Sequence, residues 1–306
     1  MNLLLAGSSG QLGQELLPVL TQLGKVTPVD KVAGEHNTIE MDLSNRDELE
    51  ALLDQAQPDI VVNAAAYTAV DQAEDDARTA FRLNAELPAQ LARWCKANDR
   101  LLVHYSTDYV FNGISDRPYL ENDPTGPMSV YGESKLAGEW GVQASLCRHI
   151  MLRTSWVYSS HGSNFVLSML RLARQRSELS IVKDQVGCPT YANNLAIVTG
   201  KLLQHIGKNP DDHDLYGLFH YSDQGEMSWY EFAGHIFEQA AELGMLHETP
   251  RLKPISSNGY PQAAKRPEYS VLNTQLISNT FNLAIADVQS SLRRCLGQVV
   301  NSTIWK

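Results

Sequence analysis

The chain has 306 residues, enough for a large core or for two domains of ordinary size. Hydrophobic residues at 43% and charged residues at 20% make an ordinary globular mixture, which excludes disordered, collagen-like and low-complexity classes. A net charge of −10 argues against a nucleic-acid binder, and no apolar run approaches the roughly 18 residues of a membrane span.

The N-terminal half alternates two periods. Asn2 to Ala6 is a short apolar run that reads as a buried strand, followed by a glycine-rich turn and a helix carrying Pro18, which removes one backbone donor. Val26 to Asp30 and Thr38 to Met41 read as the next two strands. Ser44, three residues before Asp47, predicts a capped helix through Leu49, Leu52 and Leu53. Asp59 to Asn63 and Leu101 to Ser106 are the fourth and fifth strands, with a long helical stretch through Phe81, Leu87, Leu91 and Trp94 between them. This alternation predicts an α/β fold: a Rossmann-type, doubly wound parallel sheet with helices on both faces.

Beyond Tyr131 the pattern is less regular. His149 to Val157 is expected to continue the sheet, Lys183 to Pro189 to be a loop, and Lys253 to Pro267 an extended loop. Ser228 and Glu231 form a second capping-box pair, opening a helix through Phe232, Ile236 and Phe237. The expected plan is a dinucleotide-binding part over residues 1–157 and a smaller α/β substrate lobe over 158–306, with the chain crossing back between them. MNLLLAGSSG has no basic segment ahead of its apolar stretch, so it does not read as a signal peptide. Cys95, Cys147, Cys188 and Cys295 show no CxxC pairing, which fits reduced thiols and a cytoplasmic location.

Gly7-Ser8-Ser9-Gly10-Gln11-Leu12-Gly13 follows the first strand directly and opens a helix. That context turns a weak glycine string into a dinucleotide site, in which glycines allow close backbone approach and the helix N-terminus supplies free N–H groups to a pyrophosphate. Asp30, at the end of the second strand, stands where a carboxylate meets the adenosine ribose, whereas the adjacent Lys31 suits a 2′-phosphate. The two pull in opposite directions, leaving NADPH and NADH both open. Asp42 and Leu43, after the third strand, fall near the adenine.

Tyr131 and Lys135 share one helical face at i, i+4 spacing in SVYGESKLAGE. An ammonium beside a phenol favours the phenolate, and a tyrosine so tuned exchanges a proton with a carbonyl oxygen as hydride moves at carbon. Thr107, at the carboxyl end of the fifth strand, can hydrogen-bond the same oxygen. Glycine loop, strand-end hydroxyl and YxxxK, in this order, point to a nicotinamide-dependent oxidoreductase.

The sequence resembles the extended short-chain dehydrogenase/reductase superfamily and, within it, the dTDP-4-dehydrorhamnose reductase family. The resemblance rests on GSSGQLGQEL, VVNAAAYTAVDQAE, VHYSTDYVFNG, YGESKLAGE, RTSWVY, DQVGCPT and RPEYSVL, and so spans nearly the whole chain. It implies reduction of the C4 keto group of dTDP-4-dehydro-L-rhamnose in dTDP-rhamnose biosynthesis. It also implies a catalytic set of Thr107, Tyr131 and Lys135. Ala66, Tyr67, Thr68 and Tyr105 match the family's cofactor contacts, and Thr107, Asp108 and Trp156 match the positions that hold the sugar. Asn164, Phe165 and the segment 183–190 are expected to line the nucleotide end. Lys253, Lys265 and Arg266 are either diphosphate ligands or a solvated loop, and Cys188 either a reactive thiol or a small buried side chain. A related 4,6-dehydratase would carry Glu after Asp108, where this chain has Tyr109. Another keto-sugar reductase and a non-catalytic regulatory subunit stay as alternatives. Some members are homodimers bridged by Mg²⁺ through acidic side chains. Glu15 matches one such ligand, but Asn193 replaces another, so no metal ligand is assigned.

Overall fold

The apolar runs become strands because both of their faces are covered. The computed structural model describes residues 1–32 and 38–302. Its first half runs β1 (Asn2–Ala6), α1 (Gln11–Thr21), β2 (Lys25–Asp30), β3 (Ile39–Glu40), α2 (Arg46–Ala56), β4 (Ile60–Asn63), α3 (Val70–Ala73), α4 (Ala77–Phe81), α5 (Leu87–Ala97), β5 (Leu101–Thr107), α6 (Val130–Ala144) and β6 (Arg148–Thr154). The second half adds β7 (Val157–Tyr158), α7 (Phe165–Ala173), β8 (Glu178–Val182), β9 (Val186–Gly187), β10 (Thr190–Tyr191), α8 (Ala192–Lys208), β11 (Gly217–His220), β12 (Met227–Ser228), α9 (Trp229–Glu242), β13 (Arg251–Ile255), α10 (Gln275–Phe281) and α11 (Val288–Asn301).

Seven strands form one parallel sheet in the order β3-β2-β1-β4-β5-β6-β11. The order reverses beside β1, so a crevice opens at the carboxyl ends of β1 and β4, where doubly wound sheets bind ligands. α1 and α8 cover one face through Leu16, Leu20, Leu195 and Leu202. α2 and α5 cover the other through Leu49, Leu53, Leu91 and Trp94. A separate core around Phe232, Ile236, Leu292 and Leu296 belongs to α7, α9 and α11. The last strand of the main sheet, β11, comes from far along the chain, so the second half returns to the first.

Several local expectations need correction. Ser44 is not a helix cap: α2 starts after Asn45, and the Ser44 N–H donates instead to Asp42 Oδ1 at 2.9 Å. The strand expected over His149 to Val157 ends at Thr154. Trp156 adopts φ +46°, in the left-handed region, so the strand breaks there and β7 pairs with β10 instead. The loop expected from Lys253 begins as strand, since β13 pairs in parallel with β8. Pro18 lies inside α1, which continues through it to Thr21. The Ser228–Glu231 capping box is present in full at the start of α9.

One buried ion pair fixes the helix that matters most to the site. Glu139 of α6 and Arg153 of β6 are 1% and 4% exposed, and the guanidinium donates through Nε to Oε1 at 2.8 Å and through Nη2 to Oε2 at 2.6 Å. The Ser106 hydroxyl of β5 donates to the same carboxylate, and the Arg153 guanidinium lies 5.0 Å from the Phe111 ring. Removing one partner of such a pair leaves an uncompensated buried charge, which costs about 3–5 kcal/mol. Glu139→Gln is therefore expected to lower the unfolding free energy in urea at neutral pH by about 3 kcal/mol or more. A loss below about 1 kcal/mol would mean that water reaches the guanidinium in the variant.

Candidate active site

The glycine loop sits at the crevice. Gly10 precedes the first turn of α1, and Gln11 and Leu12 open the helix. Gly13 packs against the loop itself: a Cβ there would lie 2.0 Å from the Gly7 carbonyl oxygen, so only glycine lets the helix close on the turn. The Ser8 and Ser9 hydroxyls are buried without a protein partner. A cavity of about 350 Å³ beside Ser9 is lined by Gly7, Gly10, Asp30, Lys31, Asp42 and Ala66, with Leu43 in its wall. The structure thus brings the predicted loop, the β2 end and the β4 end around one cavity, and the cradle and orphaned hydroxyls fit a dinucleotide.

Asp30 is partly committed, because its Oδ2 accepts from the Ser9 N–H at 2.9 Å. The segment after β4 is pinned by a residue that had no signal in the sequence. Buried Asn84 donates to the Tyr67 carbonyl at 3.0 Å and accepts from the Tyr67 N–H at 2.8 Å, which orders Ala66, Tyr67 and Thr68. Gln11 donates to the Val157 carbonyl at 3.3 Å, and Asn164 caps α7 while reaching Gln11 at 3.4 Å. These contacts join the start of α1 to the β7 region.

The hydroxyl, phenol and ammonium converge at the end of β5. Ser129 caps α6 and places Tyr131 in its first turn, with Lys135 one turn on and Glu139 one turn further. The Thr107 side chain faces the Tyr131 phenol, and the Tyr109 ring meets the Tyr131 ring edge-on at 5.7 Å. Burial pushes the Tyr131 phenol up to about 12, against a lowering by Thr107. This corrects the expectation of a depressed phenol: the Lys135 ammonium turns to the Tyr105 carbonyl, 2.6 Å away. Burial pulls Lys135 itself down to about 8, opposed by the charge of Glu139. Tyr105 meets the site through that carbonyl alone. Its ring lies in the core with its hydroxyl on Thr199 at 2.8 Å.

Asp108 is 1% exposed, and the Thr107 hydroxyl donates to its Oδ1 at 3.0 Å, while Oδ2 has no hydrogen-bond partner. Trp156 follows β6 and stacks on Trp229, which sequence reasoning did not single out. Cys188 is buried, and burial pushes its thiol up to about 12, so it behaves as a small core side chain rather than a reactive thiolate. Arg266 is tied to Asp71 at 2.6 Å, while Lys253 lies exposed in β13 and Lys265 is exposed beside Arg266.

The surroundings of Glu15 do not fit a magnesium ion. Its carboxylate accepts from Ser159 Oγ at 2.8 Å and from Asn193 Nδ2 at 2.9 Å, and His161 Nε2 stands 3.9 Å away. Glu15 is thus the one carboxylate among these neighbours, where Mg²⁺ takes carboxylate and water oxygens in octahedral geometry. Among the described residues, no three His, Cys, Asp or Glu side chains gather to hold a metal ion.

The sheet order and the glycine loop define a Rossmann-type nucleotide fold, with Thr107, Tyr131 and Lys135 gathered at the end of β5. Comparison with known proteins narrows the class. The chain belongs to the family described as RmlD substrate binding domain, whose model matches residues 1–301. It is 39% identical over 303 residues to the dTDP-4-dehydrorhamnose reductase of Escherichia coli (strain K12), covering 99% of both chains. It superposes on the crystal structure of a dTDP-4-dehydrorhamnose reductase from Clostridium acetobutylicum with a TM-score of 0.87 at 34% identity, covering 98% of this chain and 100% of the other. A Bacillus anthracis dTDP-4-dehydrorhamnose reductase in complex with NADP gives 0.86 at 33% identity, with 97% and 99% covered.

Burial pushes the Asp108 carboxyl up to about 7 from 3.8. The unfolded chain releases that proton near pH 4 and the folded chain near pH 7, so the stability contributed by Asp108 is whole below about pH 4 and is lost as pH rises through about 7. The difference in unfolding free energy between wild type and Asp108→Asn is therefore expected to fall between about pH 4 and pH 7.5. A difference that stays flat across that window would place the carboxyl in its ordinary range.

Proposed function

We propose that this chain reduces the C4 keto group of dTDP-4-dehydro-L-rhamnose to dTDP-L-rhamnose, using NADPH or NADH, as an enzyme of dTDP-rhamnose biosynthesis. The observation that carries this reading is the gathering of Thr107, Tyr131 and Lys135 at the carboxyl end of β5, with Lys135 anchored on the Tyr105 carbonyl at 2.6 Å, on the same sheet edge as the glycine loop. It occurs in a chain aligned end to end with reductases of that substrate. Residues 1–157 are taken as mainly the dinucleotide part and those from 158 on as mainly the sugar part. Among the described residues no helix is long and apolar enough to cross a membrane. The four cysteines are free thiols, which supports a cytoplasmic enzyme.

In this reading the loop from Gly7 to Gly13 and the N-terminus of α1 hold the pyrophosphate. Asp30, Lys31, Asp42 and Leu43 surround the adenosine, and Ala66, Tyr67 and Thr68 line the path from there toward Tyr131. When bound, the reduced nicotinamide supplies the hydride for C4. Tyr131 gives its proton to the C4 oxygen, and its raised pKa keeps it protonated and ready at neutral pH. Thr107 then stabilises the phenolate by turning its hydroxyl from Asp108 Oδ1 and donating a hydrogen bond to it. Lys135, anchored on the Tyr105 carbonyl, keeps a positive charge one turn away, where low dielectric strengthens it. Asp108 and Trp156 orient the sugar. Tyr109 occupies the place where a dehydratase has its second carboxylate, which favours reduction over elimination of water.

Two experiments test this reading. Tyr131→Phe is expected to lower kcat for dTDP-4-dehydro-L-rhamnose by about 10²–10⁴-fold while NADPH binding persists. Activity within a few-fold of wild type would remove Tyr131 from the chemistry. Lys31→Ala is expected to raise KM for NADPH by up to about fivefold and leave KM for NADH unchanged. Equal effects on both would separate Lys31 from the 2′-phosphate.

A further inference from the structure

The motif DQVGCPT and the residue Trp229 have no part in the chemistry just described, yet both meet Trp156. The Trp156 and Trp229 rings are parallel to within 4°, with centroids 3.4 Å apart, and Phe165 packs on Trp229 at 4.5 Å. Gly187 lies against the same indole: a Cβ there would sit 2.7 Å from Trp156 Cε2 and 2.8 Å from Nε1. The antiparallel pairing of β9 with β12 sets Met227 opposite Gly187 and Ser228 opposite Val186. That pairing delivers both Gly187 and the first residue of α9, Trp229, to one place. The capping box of Ser228 and Glu231 fixes the direction in which α9 leaves.

Trp156 needs such support. Its φ of +46° is uncommon for a large side chain and persists only where the surroundings enforce it. Its carbonyl accepts from the Thr190 N–H at 3.3 Å, which ties the strained backbone to β10. With backbone and ring both held, the indole is fixed against Trp229 and Gly187.

We propose that Trp229 is a positioning residue for the sugar: by stacking on Trp156, against the space left by Gly187, it sets the orientation in which Trp156 meets the substrate. The proposal rests on the reading of Trp156 as a sugar contact. It assigns a role to the glycine of DQVGCPT, and it makes sugar affinity depend on an element of the second half of the chain that touches neither the dinucleotide loop nor Tyr131.

The test compares Trp229→Leu, Trp229→Phe, Gly187→Ala and Trp156→Phe by steady-state kinetics with dTDP-4-dehydro-L-rhamnose and NADPH. An aromatic pair of this kind is worth about a three- to tenfold change. Trp229→Leu is expected to raise KM for the sugar by that factor with KM for NADPH unchanged, and Trp229→Phe to recover most of it. Gly187→Ala, which displaces the indole with Trp229 intact, is expected to raise the same KM, and it decides the matter if Trp229→Leu does not fold. A raised KM in Trp156→Phe with wild-type KM values in Trp229→Leu and Gly187→Ala would overturn the proposal and leave the Trp156 reading standing. An unchanged KM in Trp156→Phe would overturn both. Equal increases in the two KM values, or no recovery with Trp229→Phe, would reduce Trp229 to a packing role.

Discussion

The Glu139–Arg153 pair is the interaction on which the rest of the site depends. Tyr131, Lys135 and Glu139 lie one turn apart along α6, so they share a face. A bidentate ion pair from the last of them to β6, with Ser106 of β5 on the same carboxylate, fixes the rotation of the helix about its axis. The Lys135 bond to the Tyr105 carbonyl fixes it again one turn earlier. Tyr131 therefore reaches Thr107 because two buried polar contacts deeper in the helix leave it no other azimuth. The pair also serves the chemistry through its charge, since Glu139 opposes the loss of the Lys135 proton that burial favours.

The second constraint is the sheet. Parallel pairing of β1, β4, β5 and β6 puts Gly7, Ala64, Asp108 and Ser155 just past the same edge. The dinucleotide loop, Asp108 and Trp156 follow their strands directly, and Tyr131 returns to this edge at the start of α6 after the long connection from β5. At this edge Trp156 leaves β6 with a left-handed backbone, and aromatic stacking and a glycine hold it there. The two halves of the chain stay coupled because β11 completes the sheet and Gln11 reaches the Val157 carbonyl.

Features with local signatures were legible in the sequence. Strand, glycine loop and helix follow one another in GSSGQLG; Thr107, Tyr131 and Lys135 announce themselves by strand end and spacing; Ser228 and Glu231 form their box within four residues. Features made by distant contacts were not. Glu139 and Arg153 read as ordinary charges until the fold closes, and Asn84 reads as a surface amide although it is fully buried on the Tyr67 backbone. Trp156 looked like the end of a strand because local propensity carries no sign of the left-handed turn that tertiary packing imposes. Spacing places Tyr131 and Lys135 on one face of α6, but it carries no sign of the burial that raises the phenol or of the Tyr105 carbonyl that takes the ammonium.

The central claim is that hydride passes from the dinucleotide to the C4 carbon of the sugar and stays there. The most direct measurement supplies NADPH deuterated at the transferring position of the nicotinamide, together with dTDP-4-dehydro-L-rhamnose, and follows the label by NMR and mass spectrometry. One deuterium at C4 of dTDP-L-rhamnose, with one oxidised dinucleotide released per product, is the predicted result. Sugar recovered without label, or turned over while the dinucleotide remains reduced, would contradict it.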